Sequence, residues 1–188
     1  AAVIPAHDEE IGIVETLTRL RGDLHPGDRA LVVADNCGGG TARIARENGA
    51  EVLERFNETS RGKGFALEAG LKSLERNPPA GVVILDADCR FEPGGLSALV
   101  KAAEDRRRPQ QAIYLPGVRD DGSVRSKWAK FALAFKNEGR PTGLRNLGLP
   151  CLLTGSGIAL PWPAVQAGSW GTGRLLEDMR LGIDLALP

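Results

Sequence analysis

The sequence predicts an α/β fold: a mixed, mainly parallel sheet with helices on both faces. Three observations carry this expectation. Short apolar runs alternate with helical patterns along the chain, which implies βαβ units. The run Gly81-Val82-Val83-Ile84-Leu85 is unbroken by polar residues, as a strand buried on both faces requires. Gly38-Gly39-Gly40 and Pro78-Pro79 punctuate the rhythm between patterns. The 188 residues suit one domain with a sizeable core.

Ala1 to Pro5 is short and apolar, a first strand. Asp8 is placed to cap a following helix, whose apolar positions Ile13, Val14, Leu17 and Leu20 recur at helical spacing. Ala30 to Ala34 reads as a buried strand ending at Asp35. Thr41 to Asn48 reads as a helix with Gly49 as its stop. Glu51 to Glu54 is a short strand. Gly64 to Arg76 is helical, with Leu67, Leu71 and Leu74 on one face, and Pro78-Pro79 ends it. After the Gly81–Leu85 strand, Leu96, Leu99, Val100 and Ala103 mark another helix. Ala112 to Val118 is expected as a strand and Asp120 to Ser126 as a polar, mobile loop. Lys127 to Asn137 carries Trp128, Phe131, Ala132 and Phe135 at helical spacing. Cys151 to Leu160 is strand-like, interrupted by Thr154-Gly155-Ser156-Gly157. Leu175, Met179 and Ile183 predict a last helix.

Composition narrows the classes. Lys and Arg number 24, as do Asp and Glu, so the formal net charge is zero. Nothing overall argues for nucleic acid or an anionic membrane as partner. Arg106-Arg107-Arg108 reads as a solvated helix end. The three cysteines, at 37, 89 and 151, lack C-x-x-C spacing and fit neither a disulfide framework nor a zinc site. A reducing, cytoplasmic setting is expected. No apolar run reaches the about 18 residues that a spanning helix needs. The first residues lack the basic region of a signal peptide. The chain opens inside a strand pattern and stops after a helical one. A piece of a longer protein is therefore expected, with any membrane association, such as at the inner membrane face, made through segments outside it.

Ligands of an open parallel sheet bind beyond the carboxyl ends of its strands. Asp8 and Glu9 follow the first strand, Asp35 ends the second, and Asp86 and Asp88 follow the Gly81–Leu85 strand. Each alone is an ordinary turn or cap residue. Together they suggest a site for a metal, for hydroxyls or for both. Once the chain leaves a ladder, the two side chains of Asp-x-Asp can diverge. One carboxylate can then bind Mg²⁺ or Mn²⁺ while the other accepts from a ribose. Arg61-Gly62-Lys63-Gly64 precedes a helix, where glycines allow close approach and the helix N-terminus favours anions. Neither G-x-x-x-x-G-K-[ST] nor G-x-G-x-x-G is present, so P-loop and dinucleotide readings are poor. Glu177-Asp178 opens the last helical pattern. Asp178 has Leu175, Leu181 and Gly182 as helical neighbours and leans inward, whereas Glu177 lies between Arg174 and Arg180. An inward carboxylate is either a costly structural group or a functional one. His25 precedes Pro26-Gly27 and reads as an inert turn residue, while His7 sits at the edge of the proposed site but reads as a polar loop residue.

With these residues in hand, the chain resembles family 2 glycosyltransferases of the GT-A (Rossmann-like) fold. Six stretches occur in the family's order: Pro5-Ala6-His7-Asp8-Glu9-Glu10, Val33-Ala34-Asp35-Asn36-Cys37, Arg61-Gly62-Lys63-Gly64, Asp86-Ala87-Asp88, Thr154-Gly155-Ser156-Gly157 and Glu177-Asp178. The resemblance covers almost the whole chain. It implies an inverting transfer of sugar from a nucleotide-diphosphate donor, UDP before GDP or dTDP, to a carbohydrate or lipid-linked acceptor, with Mg²⁺ or Mn²⁺. By similarity, Pro5, Ala6 and Asp8 or Glu9 line the nucleoside pocket, and Asp35 meets the uracil N–H. Arg61 and Lys63 lie beside base or phosphates. Asp86, with Ala87, contacts ribose or sugar, and Asp88 binds the metal. Gly155 and Ser156 shape the donor-sugar and acceptor site, and Asp178 is the general base. Two departures stand out. Gly38-Gly39-Gly40-Thr41 replaces the polar residues the family often has after its second strand, and the processive Q-x-x-R-W motif is absent. Two other classes remain open: a nucleotidyltransferase of related fold, and a non-catalytic nucleotide-sugar-binding domain.

Overall fold

The structure, a computed structural model, describes residues 1–115, 121–150, 153–171 and 177–185, with Glu177, Asp178 and Arg180 described in backbone only. Among the described residues six strands form one sheet: β1 (Ala2–Ala6), β2 (Ala30–Asp35), β3 (Glu51–Arg55), β4 (Gly81–Ile84), β5 (Gln110–Gln111) and β6 (Ile158–Pro161). Their order is β3-β2-β1-β4-β6-β5. The first four are parallel, and β6 runs antiparallel to both β4 and β5. The mixed, mainly parallel sheet expected from the sequence is borne out.

Alternation along each strand splits the core into two layers. Ile4, Val32 and Val83 face one side, packed with Ile13, Leu17 and Leu20 of α1 (Glu10–Asp23) and Leu96, Leu99 and Ala103 of α4 (Gly95–Arg106). Helix α2 (Thr41–Glu47) joins this layer through Ala45. Val3, Val33, Val82 and Ile84 face the other side, with Leu67, Leu71 and Leu74 of α3 (Lys63–Leu74). Helix α3 lies close to the sheet because Gly70 has no side chain. A Cβ there would sit 2.7 Å from Val33 and 3.1 Å from Val3.

The chain turns back after β4. Helix α5 (Val124–Ala134) runs through a π turn, Phe135–Gly139, into α6 (Arg140–Asn146) before β6 returns to the sheet. Helices α7 (Trp162–Ala167) and α8 (Glu177–Asp184) follow, and Val165 and Leu181 join the second layer. Among the described residues no helix is long and apolar enough to cross a membrane.

Several local expectations are corrected or sharpened. Asp8 does not cap α1: Glu9 holds the cap position, and Asp8 takes a left-handed conformation (φ 52°) and bonds elsewhere. Residues 112–115 are not strand, because β5 ends at Gln111; Pro116 to Val118 lie outside the described residues. The loop expected over Asp120–Ser126 is shorter, since α5 starts at Val124 with Ser123 as its cap. Trp128, Phe131 and Phe135 repeat at helical spacing but are exposed, as are Val14 and Ile183. Of the Cys151–Leu160 stretch, residues 151 and 152 lie outside the described residues, and strand begins only at Ile158.

Candidate functional site

A crevice opens where β1 and β4 separate. Strand β1 pairs with β2 over its full length, but with β4 only at Ala2 and Val3. The last bond across the gap runs from the Leu85 N–H to the Val3 carbonyl, 3.1 Å. Pro5, two residues on and facing the same way, has no N–H to extend the ladder. Chain order also reverses at this point, since β2 lies on one side of β1 and β4 on the other. Such a switch point is the expected ligand position in an open α/β sheet.

The crevice has a volume of about 540 Å³. Strand β1 and its continuation supply Pro5, Ala6, His7 and Glu9, and the end of β2 supplies Asp35 and Asn36. The start of α3 supplies Arg61, Gly62, Lys63 and Ala66, and the turn after β4 supplies Asp86, Ala87 and Asp88. Of the donor-site residues expected from the sequence, Asp8, Gly155 and Ser156 are not in this lining.

The turn bearing Asp86 and Asp88 is held from two sides. On one, Thr16 of α1, buried, donates its hydroxyl to the Ala87 carbonyl at 2.8 Å and lies 3.1 Å from the Cys89 carbonyl. Gly12 allows α1 this approach, since a Cβ there would stand 3.1 Å from the Ala87 oxygen. On the other side, the Asp86 N–H donates to Ser156 Oγ at 3.0 Å. Lys63 Nζ donates to both Asp86 Oδ1 and the Gly155 carbonyl. Gln111 fixes the same loop, accepting from the Thr154 N–H and donating to the Ser156 carbonyl, both at 2.8 Å. Gly155 and Ser156 therefore act on the crevice through Lys63 and Asp86.

Asp35 is almost fully buried and pairs with Arg55 Nη1 through Oδ1 at 2.5 Å. Arg55 also lies over the Phe65 ring at 5.8 Å. His7 Nδ1 sits 2.8 Å from the Asp35 carbonyl oxygen. Asn36, left-handed at φ 52°, accepts from the Asn57 N–H through Oδ1 at 2.8 Å, which settles which way its amide points. Its Nδ2 is then a buried donor with no partner among the described residues. Asp8 is used structurally: Oδ1 accepts from the N–H groups of Gly38, at 2.8 Å, and Gly39, at 3.3 Å. Glu10 likewise accepts from the Gly40 N–H at 2.8 Å. The glycine loop is thus tied down.

Asp86, Asp88 and Cys89 each offer a ligand atom, all within 4.8 Å of one another. Burial pushes the Cys89 thiol up; a hydrogen bond with Ser156 opposes this, and the neighbouring Asp88 and Asp86 charges reinforce it. The set contains two carboxylates, the hard oxygen donors among these three side chains. That set suits a hard cation such as Mg²⁺ or Mn²⁺, which keeps waters and phosphate oxygens in its remaining positions. Tyr114 also stands near this cluster, and burial, with Cys89 and the Asp88 and Asp86 charges, pushes its phenol up. Asp178 is the second residue of α8, and its side chain lies outside the described atoms. One turn later, Gly182 abuts Leu153, where a Cβ would meet the backbone nitrogen at 3.0 Å.

Sequence reasoning missed Thr16, Arg55, Asn36, Cys89 and Tyr114. His7, which the sequence puts at the edge of the proposed site but reads as a polar loop residue, lines the crevice. Only Cys89, adjacent to Asp88, carried a signal that could have found it.

Comparison with known proteins agrees with this geometry. The family model for glycosyl transferase family 2 matches residues 1–155. An uncharacterised glycosyltransferase of Mycobacterium tuberculosis, and one of Mycobacterium bovis, are each 35% identical over 133 residues, covering 67% of this chain and 56% of theirs. The chain thus spans just over half the length of these relatives. Glucosyl-3-phosphoglycerate synthase from M. tuberculosis, solved with UDP, superposes with a TM-score of 0.63 at 20% identity, over 97% of this chain and 63% of that one. TarS of S. aureus gives 0.68 at 17%, over 98% and 54%. Further structures of the synthase contain Mn²⁺, UDP-glucose and phosphoglyceric acid, and one of TarS contains UDP-GlcNAc. At such identities these likenesses show the fold, which is the GT-A fold that the resemblance implied. The match over residues 1–155 settles the rest: the chain belongs to glycosyltransferase family 2.

Proposed function

We propose that this chain is the donor-binding and catalytic part of a metal-dependent, inverting glycosyltransferase. It would move a sugar from a nucleoside diphosphate, UDP, to a hydroxyl of a carbohydrate or lipid-linked acceptor. The observation that carries this reading is the crevice between β1 and β4. There Asp35, Asp86 and Asp88, two cations and the N-terminus of α3 line one 540 Å³ space. Carboxylates suit the ribose and uracil hydrogen-bond donors. Arg61, Lys63 and the helix N-terminus suit the diphosphate. The orphaned Asn36 Nδ2 is a further donor at the β2 end, suited to a uracil or ribose oxygen.

Asp88, with Asp86, would hold Mg²⁺ or Mn²⁺, which neutralises charge on a departing diphosphate when bound. Lys63 holds Asp86 against the Gly155 loop, and Thr16 holds the turn's carbonyls. Both fixings reduce what must be ordered when the donor arrives. An acceptor hydroxyl is a weak nucleophile at neutral pH. Asp178 is the residue assigned to take its proton, a service worth about 10²–10⁴-fold. That assignment rests on the family resemblance and on the residue's place in α8. A nucleotidyltransferase reading is disfavoured: the Gly38, Gly39 and Gly40 amides, the natural phosphate cradle beside β1, are occupied by Asp8 and Glu10.

The test is a transfer assay with labelled UDP-sugars, with UDP binding measured by calorimetry in parallel. Asp178→Asn should lower turnover by about 10²–10⁴-fold and leave UDP affinity unchanged. Equal loss of both would remove the base assignment. Nucleotide-sugar binding by the wild type without hydrolysis or transfer would favour the non-catalytic reading.

A further inference from the structure

Helix α5 carries an apolar stripe on its outer side. Val124, Trp128, Phe131 and Phe135 are spaced four, three and four residues apart, which lines them up along one face. They are 71%, 65%, 62% and 62% exposed. Trp128 meets Phe131 edge-to-face at 5.8 Å, and Phe131 stacks on Phe135 at 6.5 Å, so the rings form one continuous surface. The inner side of the helix is already served by buried Ser126 and the partly buried Ala129 and Leu133. The stripe therefore faces away from the protein, where water makes it costly.

The charge around it is one-sided. Between 121 and 150 stand Arg125, Lys127, Lys130, Lys136, Arg140 and Arg145, against only Asp121 and Glu138. The chain as a whole is neutral, so this helical arm, residues 121–150, is basic at the expense of the remainder. Arg125 and Lys127 are exposed and flank the stripe on either side of Trp128. An aromatic stripe rimmed by Lys and Arg is the pattern of a helix that lies in a membrane interface. The same cations would oppose a second copy docking face to face.

We propose that α5 is a docking surface for an anionic phospholipid membrane. Trp128, Phe131 and Phe135 enter the boundary between headgroups and acyl chains, and the flanking cations meet the lipid phosphates. The arm is joined to the crevice side of the sheet: Asn137, in the π turn after α5, donates to the Tyr114 carbonyl at 2.8 Å, and Tyr114 stands near Cys89 and Asp88. Docking would therefore hold the crevice near the lipid surface. The inference does not depend on the transferase reading.

The test is co-sedimentation of the 188-residue chain with vesicles of equal parts phosphatidylglycerol and phosphatidylcholine, and with phosphatidylcholine alone. Partition onto the anionic vesicles should be at least about tenfold stronger, and should weaken with salt. Replacing Trp128, Phe131 and Phe135 together by Ala should remove it with circular dichroism unchanged. So should Arg125→Glu with Lys127→Glu. As a check independent of the triple variant's folding, brominated lipid should quench a fluorescence component that Trp128→Phe abolishes. Failure of the wild type to bind, equal binding to neutral vesicles, or unaltered binding by the triple variant would each overturn the proposal. So would a concentration-dependent dimer, lost in the triple variant, in a chain that ignores vesicles.

Discussion

Lys63 and Asp86 form an ion pair across the mouth of the crevice, joining the first residue of α3 to the turn after β4. The same ammonium reaches the Gly155 carbonyl, so three distant segments meet at one nitrogen. Both side chains stay about one-third exposed, 34% and 33%, so the contact adds little to stability. Its consequence is positional. It holds one carboxylate of Asp86-Ala87-Asp88 and leaves Asp88 to diverge.

Lys63→Met should therefore separate binding from folding. Unfolding free energy should fall by less than about 1 kcal/mol, whereas UDP-sugar affinity should fall at least about tenfold as a charged phosphate partner is lost. Urea titration and calorimetry read the two quantities.

Asp35 and Arg55 should behave in the opposite way. Their side chains are 7% and 16% exposed, so removing one partner strands a charge. Arg55→Met should cost about 3 kcal/mol, the low end for a broken buried pair, since Arg55 keeps some solvent. A double-mutant cycle with Asp35→Asn should show strong coupling between the two sites. Additive effects would mean that the pair does not interact.

Thr16→Val removes a hydroxyl while nearly keeping its volume. The Ala87 and Cys89 carbonyls then lose a buried partner, at a cost of about 1–2 kcal/mol. Because those carbonyls belong to the turn proposed to hold the metal, Mn²⁺ affinity should drop alongside stability. A stability loss with unchanged Mn²⁺ binding would show that the turn keeps its shape without Thr16.

The parts of this site that were legible in the sequence are those fixed by local pattern. The unbroken Gly81–Leu85 run locates a buried strand, and a residue after such a strand must emerge at the sheet's edge; Asp86 and Asp88 follow. Glycine and lysine before the Leu67–Leu71–Leu74 face likewise mark the start of α3. Pairings between distant residues were not legible. Asp8 was expected to cap its own helix, but its carboxylate found the amides of Gly38 and Gly39, 30 and 31 residues away. Asp35 gives no local hint of Arg55 across the neighbouring strand. Trp128, Phe131 and Phe135 show why periodicity defines a face and not its partner. The spacing is that of a core helix, yet the face looks outward.

Asp121 gives a pH prediction for the start of the arm. Hydrogen bonds from the Ser123 side chain and backbone, and from Ser126, pull its carboxyl down to about 2. A depressed folded value below the unfolded one, near 3.9, means that the anion favours the folded turn. The contribution is present above about pH 4 and is lost as pH falls through about 2. In an NMR titration the Ser123 amide should report that midpoint, and Asp121→Asn should remove it.

The central claim is that the crevice binds a nucleoside diphosphate together with a divalent ion held by Asp88. Calorimetric titration of UDP with and without Mn²⁺, on the wild type and on Asp88→Ala, tests it most directly. The account predicts that Mn²⁺ tightens UDP binding at least about tenfold in the wild type and not at all in the variant. UDP binding indifferent to Mn²⁺ in the wild type, or a full metal effect surviving in Asp88→Ala, would contradict it.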